Sequence, residues 1–219
     1  MNINTDSEID SGTDTARHAD ADALRTEMVD RIRAAGNVHT TEVEHVIRAT
    51  PRHAFVPDAD LATAYDPHRA VITHRYPDGR SMSCASAPWL VATMLEQLQV
   101  HPGDRILEIG AGTGYNASLL AQLTGQAELV TTVDIDPDVA ANAAQALAAT
   151  GYRGVHVIVG DGALGHPDHA PYDRIIATVS PWDIPPAWWR QLAQAGGWSS
   201  RCAGAAKPAA SRCATSTVA

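Results

Sequence analysis

The sequence predicts an α/β fold built on a parallel β-sheet, and two observations support this prediction. The first is the stretch 105–115, where a short apolar run is followed by three glycines within five residues and then by a helical pattern. Such a stretch is typical of a strand, a tight turn and a helix. The second is that apolar, strand-like runs alternate with helical segments from there to about residue 178. This alternation indicates a parallel sheet with right-handed crossovers.

The chain before this stretch is predicted to form an N-terminal extension. Residues 1–20 are polar and acidic and are expected to be disordered. The segment 21–100 is expected to be a helical and hairpin region. Within it, 52–66 has too few apolar positions for a core of its own and is expected to pack on the main domain. Earlier in 21–100, helical spacing predicts a helix from Ala21 to Gly36, and Thr41-x-x-Glu44 is a capping box that opens a second helix.

A hairpin and a further helix complete this region. Residues 70–74 and 80–83 are predicted to pair around the turn Tyr76-Pro77-Asp78-Gly79, because these residue types favour a tight reversal. A helix is expected to begin at Ser86-Ala87-Pro88, since serine is a good N-cap and proline fits the first helical turn.

The main domain is predicted to span 101–197 as one cofactor-binding core, with strands at 105–109, 129–134, 155–159 and 172–178 and a helix at 137–149. Ligands of such sheets bind at the carboxyl ends of the strands. Asp134 ends the second strand, where a carboxylate can accept hydrogen bonds from both hydroxyls of a ribose. Asp161-Gly162 ends the third, where a carboxylate can accept from an adenine amino group. Each aspartate could instead be only a helix N-cap, as Asp136 is expected to be.

The glycine-rich turn also predicts which cofactor is bound. Glu108 lies two residues before the first glycine, and such a carboxylate would repel the pyrophosphate of a dinucleotide. S-adenosylmethionine has an ammonium and a sulfonium group, which a carboxylate favours. The pattern E-x-G-x-G-x-G resembles the first motif of Rossmann-like class I S-adenosylmethionine-dependent methyltransferases, and a purely structural turn is the alternative. The predicted cofactor-binding set is Glu108, Gly110, Ala111, Gly112, Thr113, Gly114, Tyr115, Asp134, Ile135, Asp161 and Gly162.

Composition and charge narrow the range of partners. A formal net charge of −9 argues against a broad nucleic-acid-binding face. No apolar run approaches the length of a membrane span, and the N-terminus has no signal-peptide pattern, so a cytoplasmic protein is expected. Neither the three cysteines, Cys84, Cys202 and Cys213, nor the ten histidines show the spacing of metal ligands, so no metal is predicted.

Several further motifs, in order along 25–197, resemble the protein-L-isoaspartate (D-aspartate) O-methyltransferase family. They are Arg52-x-x-Phe55-Val56-Pro57, Ala64-Tyr65, Asp78-Gly79-Arg80-Ser81-Met82-Ser83, Leu107 to Tyr115, Val159-Gly160-Asp161-Gly162, Ala170-Pro171-Tyr172-Asp173 and Ile184-Pro185. Within the family, Cys84-Ala85-Ser86-Ala87-Pro88 and Tyr115-Asn116-Ala117 look closer to the branch associated with lanthipeptide biosynthesis than to the repair enzyme.

The resemblance implies methyl transfer from S-adenosylmethionine to an aspartyl or isoaspartyl carboxylate of a peptide or protein, giving a methyl ester that collapses to a succinimide. It places 21–100 on the substrate side. The family uses a serine hydroxyl to bind the carboxylate, and the G-Q-T-I-S-Q-P pattern of the family aligns with Ser83 when counted from Gly79 and with Ser86 when counted back from Pro88. Ser86 could instead be a plain N-cap. Two other functions stay open: a catalytically impaired remnant that only binds cofactor or peptide, and a methyltransferase of small metabolites. The oligomeric state is not predicted.

The tail 198–219 does not fit this fold. A fifth apolar strand is expected after Gly197, yet the chain continues as a mixture of Ala, Ser, Pro and Arg without any period, so the later strands are predicted to be missing and the edge of the 172–178 strand to be uncovered. Back-translation of 198–202 in a frame shifted by one base gives an apolar run similar to the G-G-R-L-V-V-P-L that the family places there. We therefore expect a frameshift near codons 196–197, so that 198–219 is not the native tail.

Overall fold

A computed structural model describes residues 8–200 and 214–217. Its helices are α1 (Glu8–Ala34), α2 (Thr41–Ala49), α3 (Leu61–Ala64), α4 (Pro88–Leu98), α5 (Tyr115–Thr124), α6 (Pro137–Ala149) and α7 (Pro186–Gln191). Its strands are β1 (Val71–Arg75), β2 (Ser81–Ala85), β3 (Ile106–Ile109), β4 (Val130–Asp134), β5 (His156–Val159), β6 (Tyr172–Ala177), β7 (Leu192–Ser200) and β8 (Ala214–Thr217). The remaining residues, 1–7, 201–213 and 218–219, lie outside the described part. They include the start of the predicted disordered segment 1–20 and most of the tail 198–219.

The main sheet has the strand order β5-β4-β3-β6-β7-β8. Its pairs are parallel from β5 to β7, and β8 runs antiparallel to β7. In β3, Ile106 is paired with Val130 on one side and with Arg174 on the other. The chain moves from β3 outward to β5 and then returns to the other side of β3. The topological switch point therefore lies between β3 and β6, where a ligand crevice is expected.

Both faces of the sheet are covered, which is why β3 is buried along its whole length. Ile106 belongs to a cluster that also contains Met28, Ile47, Leu95 and Leu120, from helices α1, α2, α4 and α5. The opposite face is covered by a smaller cluster that includes Leu107, Ile109, Ile175 and Trp188. Because the first cluster joins residues from 21–100 to residues of the central sheet, the N-terminal region shares one core with it.

Arg52 fastens the N-terminal region to the loop that follows β3. Its side chain is fully buried, and Nε donates to the carbonyl of Ala64 (2.9 Å) while Nη2 donates to that of Ser86 (2.8 Å). The guanidinium carbon also lies 4.9 Å from the ring centroid of Tyr115. Arg52 thus joins α3, the end of the hairpin and the start of α5.

The sequence predictions for the central strands, for the helix at 137–149 and for the hairpin agree with the structure, and two N-terminal predictions differ slightly. Thr40, one residue before the expected cap, is the N-cap of α2 and accepts from the amide of Val43. The N-cap of α4 is Ala87, with no side-chain cap, so the alternative reading of Ser86 as an N-cap is wrong.

Two larger expectations are corrected. Residues 8–20 were expected to be disordered, but α1 begins at Glu8, because acidic residues in the first turns and alanines along the segment favour a helix. The strand after Gly197 was expected to be missing, but β7 runs to Ser200 and pairs with β6, so the edge of β6 is covered. Strand pairing uses backbone groups and can therefore form without the expected apolar side chains.

None of the helices in the described residues is long and apolar enough to cross a membrane.

We expect Arg52→Lys to lower the free energy of unfolding by roughly 2–3 kcal/mol, because lysine cannot bridge the carbonyls of Ala64 and Ser86 with one planar group. Urea unfolding followed by circular dichroism measures this. Arg48→Lys is the matched control, since Arg48 is partly exposed and forms ion pairs with Asp30 and Glu44. This variant should lose less than about 1 kcal/mol of its free energy of unfolding. Equal losses in the two variants would contradict the role assigned to Arg52.

Candidate cofactor and substrate site

The loop after β3 requires glycine at two positions. Gly110 has a φ of 97°, and a Cβ there would lie 2.6 Å from Val179 Cγ1. Gly114 has a φ of 82°, and a Cβ there would lie 3.0 Å from Leu147 Cγ. Both conformations disfavour any other residue, and both contacts leave no room for a side chain. The loop is therefore packed tightly from two sides, and its backbone forms the floor of the crevice at the switch point.

Asp134, at the end of β4, supports this loop and remains accessible. Its Oδ2 accepts from the amide of Gly112 (3.2 Å), and its Oδ1 accepts from the amide of Asp136 (3.1 Å). The carboxylate is only half-buried, so its remaining lone pairs can accept from a ligand. The next residue, Ile135, is 73% exposed and offers an apolar surface beside it. Asp136 caps α6, as predicted.

Asp161 and Gly162 lie at the end of β5. Asp161 is exposed and caps the short 3-10 helix Gly162–Leu164 through the amide of Ala163 (2.9 Å). A Cβ on Gly162 would lie 2.5 Å from Ile109 Cγ2, so this glycine lets the turn approach β3. Trp188 is buried and donates its indole N–H to the carbonyl of Gly162 (2.8 Å), whereas the next residue, Trp189, is 42% exposed.

Glu108 lies beneath the loop rather than on its surface. It is 1% exposed, and its Oε1 accepts from Asn116 Nδ2 in the first turn of α5 (2.8 Å). Burial raises the pKa of Glu108 to about 7. The hydrogen bond from Asn116 and the nearby hydroxyl of Thr132 act in the opposite direction. The Thr132 hydroxyl is close to the carboxyl group but does not form a well-aligned hydrogen bond with it. The side chain of Glu108 therefore contacts the first turn of α5 through Asn116.

The other predicted loop residues divide into buried and accessible ones. Ala111 and Tyr115 are buried. The Tyr115 ring packs edge-on against Phe55, and burial raises its pKa to about 12 although Arg52 nearby lowers it. Gly112 and Thr113 are half-buried and line the crevice. Seven members of the predicted set are thus exposed or half-buried and open to a ligand: Gly110, Gly112, Thr113, Asp134, Ile135, Asp161 and Gly162.

The two candidate serines lie where the hairpin passes over the loop. They flank Cys84, whose carbonyl oxygen is 3.8 Å from the position of a Cβ on Gly112. Ser83 is the cross-strand partner of His74 in the hairpin, and Ser86 has its carbonyl held by Arg52. The structure therefore places Cys84, which lies between the two serines in the chain, close to the glycine loop.

The sequence analysis did not find a cleft of about 870 Å³ that starts at Gly112 and Thr113 and extends between β1 and α6. Asn142 and Gln145 of α6 line it, together with residues of the hairpin. The sequence did contain a sign of this wall. Asn142 and Gln145 are three residues apart, so they lie on the same face of the helix that begins after Asp136. The role of Arg52 was also missed, although the motif that contains it was recognised.

The exposed groups fit S-adenosylmethionine. Asp134 offers acceptor oxygens to a ribose, Ile135 an apolar contact to an adenine, and the loop a close backbone surface. Among the described residues, no group of three or more His, Cys, Asp or Glu side chains could hold a metal ion.

Glu108→Gln should remove a pH dependence of stability. In the unfolded chain Glu108 loses its proton near pH 4.5, and in the fold near pH 7. Its contribution is therefore fully present below about pH 4.5 and is lost as the pH rises to about 7, a change of roughly 3 kcal/mol. The amide keeps the acceptor for Asn116 without ionising. We expect the stability of the variant relative to the wild type to rise between about pH 4.5 and 7, measured by urea unfolding; a difference that stays constant over this range would contradict the burial of an ionisable Glu108.

Residues 23–198 match the family model of protein-L-isoaspartate(D-aspartate) O-methyltransferase. The protein-L-isoaspartate O-methyltransferase of Methanopyrus kandleri is 40% identical over 173 residues, which are 78% of this chain and 74% of that protein. Protein-L-isoaspartate O-methyltransferase 1 of Archaeoglobus fulgidus is 40% identical over 79% of this chain and 76% of its own length.

Solved structures give the same result. A protein-L-isoaspartate O-methyltransferase structure is 28% identical, with a TM-score of 0.72 over 81% of this chain and 55% of that one. A structure from Plasmodium falciparum, described as such an enzyme in complex with S-adenosyl-L-homocysteine, has a TM-score of 0.68 over 83% of this chain and 85% of that one; at 16% identity it supports the fold alone. The chain is a Rossmann-like class I methyltransferase fold, and it belongs to the protein-L-isoaspartate(D-aspartate) O-methyltransferase family.

Proposed function

We propose that this chain transfers the methyl group of S-adenosylmethionine to an aspartyl or isoaspartyl carboxylate of a peptide or protein. The observation that carries the proposal is that the hairpin end, at Cys84, lies against Gly112 of the glycine loop, while the half-buried Asp134 and the exposed Asp161 follow the neighbouring strands β4 and β5. Membership of the family favours this activity over a metabolite methyltransferase and over a remnant that only binds.

The reaction needs positioning more than acid–base catalysis. A carboxylate oxygen attacks the methyl carbon in line, the bond from methyl to sulfur breaks, and its electron pair stays on sulfur. The products are a methyl ester and S-adenosylhomocysteine, and no proton moves. The cofactor supplies an activated methyl group, while the protein holds it by the loop and Asp134 and excludes water.

We propose Ser86 as the hydroxyl that binds the substrate carboxylate, with Ser83 as the alternative. Arg52 holds the carbonyl groups of Ala85 (3.4 Å) and Ser86 (2.8 Å), so the backbone of Ser86 is fixed relative to the loop. Ser83 lies within β2, opposite His74, and is half-buried like Ser86.

Incubation with labelled S-adenosylmethionine tests the function. An isoaspartyl peptide, the matching aspartyl peptide and a pool of small carboxylic acids should be compared, and we expect base-labile label on a peptide. Asp134→Asn should weaken cofactor binding about tenfold or more in calorimetry, because the amide is a poorer acceptor for the ribose hydroxyls. Label on the small acids alone, or none on a chain that binds cofactor, would refute the proposal.

In the same assay Ser86→Ala should lower kcat/KM by about 10- to 100-fold at unchanged cofactor affinity, since one hydrogen bond to a charged group is lost. Ser83→Ala is the matched control and should stay within about threefold. The opposite order would assign the substrate contact to Ser83.

The finer predictions on biological role remain proposals. The similarity of 84–88 to the lanthipeptide-associated branch favours a modified precursor peptide as substrate over damaged proteins. A cytoplasmic location also remains a prediction.

We also propose that 198–219 result from a shifted reading frame. Two observations support this: the family match ends at Trp198, and Ser199 in β7 is 1% exposed with no hydrogen-bond partner for its hydroxyl among the described residues. A buried, unpaired hydroxyl costs roughly 1–3 kcal/mol, and an apolar residue in the other frame would avoid this. Sequencing the gene decides the matter, because an early stop in the alternative frame would refute the proposal.

A further inference from the structure

The β5–β6 loop, residues 160–171, is held firmly beside Asp161. Trp188 of α7 is buried and donates its indole N–H to the carbonyl of Gly162 (2.8 Å), the residue that follows Asp161. Gly162 also lies against β3, since a Cβ there would meet Ile109 Cγ2 at 2.5 Å. The backbone next to Asp161 is therefore in contact with both α7 and β3.

Gln191, the last residue of α7, holds the next part of the β5–β6 loop. Its Nε2 donates to the carbonyl of Leu164 (2.8 Å), and its Oε1 accepts from the amide of His166 (2.8 Å). Between these two residues lies Gly165, which has a φ of 64°, and a Cβ there would collide with Gln191 Oε1. The buried side-chain amide thus binds one carbonyl and one N–H group of the loop, and the glycine leaves room for it.

Only a side-chain amide satisfies this pair of partners. A carboxylate has no donor for the carbonyl of Leu164, and an apolar side chain would leave both backbone groups unpaired. The β5–β6 loop contains no regular structure besides two short 3-10 helices. Without the bonds from Trp188 and Gln191, the loop would have to be ordered at the moment a ligand binds, which costs affinity.

Asp161 is the residue through which the β5–β6 loop reaches the ligand crevice. The amide of Gly160 donates to the carbonyl of Asp134 (2.8 Å), so Asp161 follows directly after the level of the carboxylate assigned to the ribose. Asp161 is exposed, and its Oδ1 accepts from the amide of Ala163 within the same loop (2.9 Å). The direction of its carboxylate therefore depends on the conformation of this loop.

We propose that Trp188 and Gln191 are positioning residues for the cofactor, because they hold the β5–β6 loop so that Asp161 accepts from the amino group of the adenine. This inference rests on the proposed function for the identity of the cofactor. It deepens that function by assigning the discrimination of adenine from other bases to the contacts of α7 with this loop.

Calorimetric titration of the full chain with two ligands tests the proposal. S-adenosylhomocysteine has the adenine amino group, whereas S-inosylhomocysteine has a carbonyl oxygen in its place. The wild type should bind S-adenosylhomocysteine about tenfold or more tightly, since a carboxylate accepts from an amino group and repels a carbonyl oxygen. Gln191→Glu should weaken the binding of S-adenosylhomocysteine about fivefold and that of S-inosylhomocysteine less than about twofold, because only the first ligand depends on a well-placed Asp161.

A second variant and a control complete the comparison. Trp188→Phe keeps an aromatic ring in the core but loses the donor to Gly162, so it should reduce the preference for adenine in the same way. Gln126→Glu makes the same exchange as Gln191→Glu at an exposed position before β4, and it should keep the wild-type preference. A wild type without the preference, an unchanged preference in either α7 variant, or equal weakening of both ligands would overturn the proposal.

Failure of this positioning role and failure of the proposed function are distinguishable, because the titrations need no peptide. A preference for adenine that both α7 variants reduce, in a chain that methylates no peptide, would support the positioning role and refute the function. Methyl transfer to peptides by a chain without that preference would refute the positioning role and leave the function intact.

Discussion

The structure depends on the close packing of three segments around one glycine loop. Thr178 and Val179, after β6, press on Gly110 from one side, and Leu147 of α6 presses on Gly114 from the other. The Thr178 hydroxyl also donates to the carbonyl of Gly110 (2.7 Å). Because these contacts leave no space for side chains, the loop backbone is held in one shape, with its open side toward the carboxyl ends of the strands. The carboxylates of Asp134 and Asp161 and the hairpin end can form one site only because they are arranged around this loop.

The N-terminal region is part of the same arrangement. Arg52 carries a charge into the core, where burial lowers its pKa while Tyr115 and Tyr65 oppose that shift. It remains there because backbone carbonyls and an aromatic face replace water around the guanidinium. The Arg52 side chain, which stabilises the N-terminal region, thereby also holds the end of the hairpin in place next to the loop. Arg52 therefore links the packing of the N-terminal region to the position of the hairpin end.

Much of this fold could be predicted from the sequence, because the strand-like runs of β3, β4 and β6 alternate with helical segments and Asp136-Pro137 marks the start of α6. The positions of Asp134 and Asp161 followed from the rule that ligands bind at strand carboxyl ends. The burial of Glu108 could not be predicted, since it depends on which face of β3 lies under α5. The contacts of Trp188 and Gln191 with the β5–β6 loop are equally invisible in a sequence, because they depend on where α7 packs.

The most direct test of the account is a crystal structure of the chain with S-adenosylhomocysteine. The account predicts the ligand on the backbone of Gly110–Gly114, with its ribose hydroxyls within hydrogen-bond distance of Asp134 and its sulfur facing the hairpin end at Ser86. A ligand bound elsewhere, or one on the loop that leaves Asp134 without contact, would contradict it.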